Sequence, residues 1–170
     1  MKFWLGYIWH CLQTTIHKFW VAYYMFNLYP SIQDYALEET VDWRDWLWRA
    51  IRHDWTKYKW DEASSFAKHA FDLKKTEFGT PEYRNLLVAI KPAIDRHYAR
   101  NDHHPEHWDG GYEAMSSIAK FEMICDWAAA VRRHTDGNLE HSIEINAERF
   151  GYDIIQESFL KQYAAAAGAL

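Results

Sequence analysis

Imidazole and carboxylate side chains recur along this chain in an order that suits a divalent metal ion. Ten histidines stand against only two cysteines, so a metal site here would be built from nitrogen and oxygen, with no thiolate. His17, the adjacent pair His53-Asp54, and Asp126 follow one another on segments of helical character. In a helical bundle, ligands on several helices can point inward at one ion. Neighbours on a helix are ~100° apart, yet His and Asp differ in length and can still meet the same ion. Asp54, with two oxygens, can also bridge to a second. His97 and the loop His103-His104-Pro105-Glu106-His107-Trp108 supply further imidazoles. Asp126 lies between Cys125 and Trp127, surroundings in which a carboxylate is costly to bury without a partner.

Each residue has a bland reading beside the chemical one. A histidine alone on an apolar helix is more often a hydrogen-bonded core residue, and a His-rich loop is often just solvated. The ordered series favours ligation for His17, His53, Asp54 and Asp126. His97, His103 and His104 are expected either to ligate or to line the substrate, with His107 and Glu106 orienting them. Lys57, one turn beyond Asp54, is placed to meet a phosphoryl oxygen as a point charge. Arg52 and Lys18 are weaker candidates for that role. His10, His69, His134 and His141 read as structural.

The order His, His-Asp, distant Asp resembles the HD-domain metal-dependent phosphohydrolase superfamily, and is similar to small bacterial 5′-deoxynucleotidases within it. The match covers residues 17 to 126. The run His97-Tyr98-x-x-Asn101-x-His103-His104-Pro105-Glu106-His107-Trp108 also resembles an uncharacterised, largely phage-associated branch. His17-Lys18 and His53-Asp54-Trp55-Thr56-Lys57 are further elements of that branch. His53-Asp54-x-x-Lys57, His103-His104 and Asp109-Gly110-Gly111-Tyr112 look like pieces of the HD-GYP cyclic-dinucleotide phosphodiesterases. In that family the lone His and the His-His pair are well separated, whereas His97 and His103 are six apart, so cyclic-dinucleotide specificity does not carry over.

The resemblance implies a phosphohydrolase acting on a nucleotide or similar small phosphoester. Its cofactor would be one or two divalent transition ions, drawn from Fe, Mn, Co, Ni or Zn. The expected ligands are His17, His53, Asp54, His97, His103, His104 and Asp126; the expected catalytic residues are Asp54, Lys57 and His104. Two other readings stay open: a non-haem di-iron oxygenase on the same fold, and a non-catalytic module that binds metal or nucleotide. The expected partner is a small phosphorylated molecule, and self-association is compatible with the sequence. The expected location is the cytoplasm, that of a host if the chain is phage-encoded.

These side chains must be positioned by helices. The 170 residues, 49% hydrophobic and 25% charged, have globular composition and suit one domain. That domain is expected to be an all-α, HD-type bundle over 1–170, with the metal-site core at about 17–126 and C-terminal helices over 139–165. No segment alternates with period two and β-branched enrichment, so no sheet is expected. The net charge of −5 argues against a basic face for duplex nucleic acid. Cys11 and Cys125 read as small apolar residues in a reducing compartment. The uncharged runs Phe3–Ile16 and Phe19–Gln33 are each too short for a spanning helix; there is no signal-peptide pattern, and membrane contact is not expected.

Residues 4–28 carry apolar side chains around most of a helix and predict a largely enclosed element, stopping at Tyr29-Pro30-Ser31. Helices are also expected over 38–58, 60–73, 112–133, 139–150 and 152–165. Another starts at Thr80-Pro81-Glu82, where Thr caps and Pro takes the first helical position; it should kink at Pro92 and end near Arg100. Residues 101–111 read as a loop and 136–138 as a turn. The alanine-rich tail should fray.

Overall fold

The first helix shows how the sequence partitions its apolar surface. The computed structural model describes residues 1–34, 41–77, 80–133 and 137–170, and in it α1 runs Lys2–Asp34. Val21, Tyr24, Met25, Leu28 and Ile32 are buried on one face, at the three- and four-residue spacing of a helical stripe. The expected enclosure does not hold, because the opposite face is exposed. Nor does the helix stop at Tyr29-Pro30-Ser31; it passes through Pro30. Proline removes the N–H that would meet the carbonyl of Phe26, and Phe26 is exposed, where water can take that acceptor.

The expected helix over 38–58 is broken, and its first residues, 38–40, lie outside the described ones. α2 spans Trp43–Arg52, its N-terminus capped by Asp42, whose carboxylate accepts from the Arg44 N–H at 2.7 Å. The chain then leaves helical geometry at His53 and Asp54. Asp54 has φ +55°, left-handed backbone that Asp tolerates better than most residues. A 3₁₀ turn, Trp55–Tyr58, follows. α3 spans Trp60–Lys75 and α4 Pro81–Arg100. The start of α4 is the one predicted, with Thr80 accepting from the Tyr83 N–H; the helix continues through Pro92 to Arg100.

Residues 101–111 contain a 3₁₀ turn, Pro105–His107. In place of one helix over 112–133 there are two, α5 (Gly111–Ala114) and α6 (Ser117–Val131). Ser116 separates them, its hydroxyl accepting from the Ala119 N–H as an N-cap. α7 spans Leu139–Phe150 and α8 Ile154–Ala166. Between them Gly151 takes φ +71° as C-cap, and Asp153 forms a capping box with Gln156. Asp136 of the expected turn and His134 lie outside the described residues. In the alanine tail Ala164 and Ala167 are fully buried, while Leu170 is exposed. The class is all-α, with no strand among the described residues, and no helix among them is long and apolar enough to cross a membrane.

The chain forms two compact units, each drawn from two stretches: Met1–Ile16 with Asp54–Asn101, and His17–His53 with Asp102–Leu170. In the first, α3 packs along α4. The start of α1 approaches α3 so closely that a Cβ on Gly6 would run into the carbonyl oxygen of Ala67. In the second, α6 packs against α7 and α8; Phe121, Met123, Ile124, Cys125 and Ala128 are fully buried along it. Phe121 meets the rings of Phe159 and Tyr163, and Trp46 donates its indole N–H to the Met25 carbonyl at 2.8 Å. Both cysteines are free thiols.

Candidate metal centre

In the second unit, α6 carries two acids one helical turn apart, Glu122 and Asp126, both buried. Residues at i and i+4 share a helix face, so both carboxylates serve the same region. α1 brings His17 to it, and the end of α2 brings His53. His17 Nε2 lies 2.8 Å from Asp126 Oδ1. His53 Nε2 lies 3.5 Å from the same oxygen and 3.5 Å from His17 Nε2. These three donor atoms all sit within 4.8 Å of one another.

The other side of His53 is held as well. Its Nδ1 lies 2.8 Å from Glu122 Oε1; an ionised carboxylate only accepts, so Nδ1–H donates. Nε2 faces His17 and Asp126, and in the neutral tautomer protonated at Nδ1 it would present its lone pair there. His103 Nδ1 approaches the same Glu122 oxygen at 3.3 Å. Arg49 donates to Glu122 Oε2 at 2.6 Å and forms a two-pronged pair with Asp102 at 2.6 and 3.1 Å. His104 stacks near His103, ring centroids 4.2 Å apart.

The electrostatics keep both acids ionised. Burial by itself would raise the Glu122 pKa, but hydrogen bonds from His103 and His53, and their charge, outweigh it and hold the carboxyl well below the usual range. For Asp126, burial is likewise outweighed by His17 and His53, and the carboxyl is held well below its ordinary value.

The first unit gathers the remaining expected residues. Asp54 is fully buried; its Oδ1 lies 3.0 Å from His97 Nε2 and its Oδ2 accepts from Lys57 Nζ at 2.5 Å. Lys57 therefore meets Asp54 across the 3₁₀ turn, where side chains at i and i+3 eclipse, and not along an α-helix. His97 Nδ1 lies 3.2 Å from Glu62 Oε2, with Thr56 and Asn101 each 3.1 Å away. Arg100 donates to Glu62 at 2.9 Å and to Asp61 at 2.6 Å. Burial would raise Glu62, but hydrogen bonds from His97, Arg100 and Thr56 and the charge of His97 lower its pKa overall.

Thus His17, His53 and Asp126 come together in one unit, with His103 and His104 beside His53, while Asp54, Lys57 and His97 come together in the other. The orienting carboxylate expected at Glu106 is engaged elsewhere, accepting from Arg149 at 2.6 Å; Glu122 and Glu62 back the imidazoles instead. His107 meets the ring of Trp108. Lys18 donates to the Ile51 carbonyl at 2.9 Å and His10 contacts the Lys57 carbonyl at 2.9 Å, the latter a structural use as expected.

The donor set fits an ion. Two ligands on one tetrahedral ion at ~2.05 Å each stand ~3.3 Å apart; His53 Nε2 lies 3.5 Å from both His17 Nε2 and Asp126 Oδ1, and the 2.8 Å hydrogen bond between those two would have to open by about half an ångström. A carboxylate behind a ligating imidazole is the usual outer partner at metal sites, and Glu122 occupies that place.

A family of unknown function, DUF5662, matches residues 8–166. No curated protein and no solved structure matches the chain.

Proposed function

We propose that this chain, which belongs to the DUF5662 family, is a metal-dependent phosphohydrolase acting on a nucleotide or a similarly small phosphoester. The supporting observation is the convergence of His17 Nε2, His53 Nε2 and Asp126 Oδ1 in a buried setting, with Glu122 fixing His53 from behind. A histidine pair that served packing alone would not need two ionised carboxylates brought out of water to meet it.

His17, His53 and Asp126 would hold one divalent transition ion. In the other unit Asp54 and His97, 3.0 Å apart, are the candidate ligands. When bound, such an ion polarises a phosphoryl oxygen and makes a water acidic enough to attack near neutral pH. The chain's own groups do the rest. Glu122 fixes the tautomer of His53, and Glu62 the orientation of His97. Arg49 and Arg100 donate to those two glutamates and hold them in place. Lys57 supplies a flexible positive charge for the phosphoryl oxygens. The nucleotide class itself rests on the resemblance of the ordered His and Asp series to HD-domain phosphohydrolases.

The test is elemental analysis of the purified protein together with phosphate release across nucleoside phosphates and cyclic dinucleotides, with oxygen uptake recorded alongside. Stoichiometric metal and metal-dependent phosphate release are expected. Iron-dependent oxygen uptake without phosphate release would move the reading to an oxygenase. Tight metal retention with neither reaction would leave a binding module.

A further inference from the structure

The exposed face of α1 is apolar along most of the helix. Leu5, Leu12, Phe19 and Phe26 recur every seven residues, and Ile8, Ile16 and Tyr23 lie three or four residues on from the first three. With Trp4 these side chains are between 44% and 67% exposed. They form a narrow stripe on the side opposite the buried residues Val21, Met25 and Leu28, so the packing of α1 within its own chain leaves the stripe uncovered. A seven-residue apolar repeat is the pattern by which one helix packs along another.

We infer that this stripe is a self-association surface, covered by α1 of a second copy of the same chain. Three observations favour a second copy as the occupant. The first is area. Eight side chains about half exposed, four aromatic at ~150–250 Å² each when fully open and four Leu or Ile somewhat smaller, amount to roughly 700–800 Å², about what one partner contributes to a stable interface.

The second is charge. Between Lys2 and Asp34 the helix carries one charged residue, Lys18. It lies ~100° around the helix from Phe19 and donates to the Ile51 carbonyl. A two-fold interface places the same patch against itself, so like charges along it would repel; this stripe has none. The third bears on lipid, the other apolar occupant. Helices that lie in a membrane surface carry Lys and Arg beside the apolar face. Here, between Lys2 and Asp34, the helix offers that face a single flanking cation, Lys18, and the whole chain is at −5.

Sedimentation velocity of the full chain in lipid-free buffer, from ~1 to ~100 μM because self-association follows protomer concentration, reads the outcome. The expected species has twice the 20.3 kDa chain mass. Leu12→Glu with Phe19→Glu should weaken association by ~100-fold or more, the scale of losing two buried interface anchors, with the helical circular dichroism unchanged. If the two charges disturb the helix, Leu12→Gln with Phe26→Gln is the milder pair and should still shift the species toward monomer. Wild-type protein that sediments as a monomer throughout overturns the inference. So does a well-folded double variant that stays dimeric. A monomer that floats with phosphatidylcholine–phosphatidylserine vesicles also overturns it, in favour of lipid.

Discussion

Glu122 accepts from His53 and His103 through one oxygen and from Arg49 through the other. If its work is to aim imidazoles, Glu122→Gln should weaken metal binding by ~10- to 100-fold, the usual effect of losing an outer partner, while helicity persists. Calorimetric titration with Mn or Co checks this, and unchanged affinity would reduce Glu122 to a packing role. Lys57 makes the opposite prediction. Lys57→Ala should keep near-normal metal content but lower kcat/KM on a phosphorylated substrate by roughly 10- to 1000-fold, the scale of one lost charge stabiliser. Unchanged kinetics would leave Lys57 as no more than the partner of Asp54. At this scale the sequence was informative about which side chains come together and silent about the groups that hold them. His17, His53 and Asp126 could be read because their types and order carry chemistry. Glu122 could not, since one acid in an apolar run has many explanations; the available signal was its place four residues before Asp126. Glu106, chosen for its neighbours in sequence, turned out to be paired with Arg149, a partner that sequence distance concealed.

The elements were legible in class and less so in their breaks. Thr80-Pro81 announced α4 because cap and first-turn proline act locally. The break at His53-Asp54 has no such marker: neither residue is Gly or Pro, yet Asp54 takes a left-handed φ. Ser116 was a capping residue hidden inside an apolar pattern. Pro30 was overread: α1 continues through it. The Asp54 backbone also determines how its role should be tested. Alanine in a left-handed position costs about 1–2 kcal/mol, whereas Asn visits that region readily. Both Asp54→Ala and Asp54→Asn should lose metal and activity, but Asp54→Ala should melt lower. Denaturant unfolding of the pair separates backbone from carboxylate. Equal stability would show that the positive φ is not retained in the variants, and full metal occupancy in Asp54→Asn would remove Asp54 from the ligand set.

At the scale of the whole molecule, a chain of net charge −5 that acts on phosphate must concentrate positive charge locally. Arg49 is already matched by Glu122 and Asp102, and Arg100 by Glu62 and Asp61. Lys57 is likewise paired with Asp54, so on the proposed reading an anionic ligand would draw its positive charge first from a bound ion, and from Lys57 only once that pair opens. An ion held only by the folded chain also stabilises it by mass action, by about 2.7 kcal/mol at a hundred times the dissociation constant. For a chain of this length that corresponds to a rise in Tm of roughly 5–10 °C. Chelation should therefore lower Tm by that much, and a divalent transition ion should restore it. Asp126→Asn should show little difference between the two conditions, because the carboxylate shared by His17 and His53 is gone. Differential scanning calorimetry with and without chelator makes the comparison. A wild-type Tm that neither chelator nor added metal moves would mean that His17, His53 and Asp126 form a hydrogen-bonded core cluster, and the hydrolase reading would lose its support.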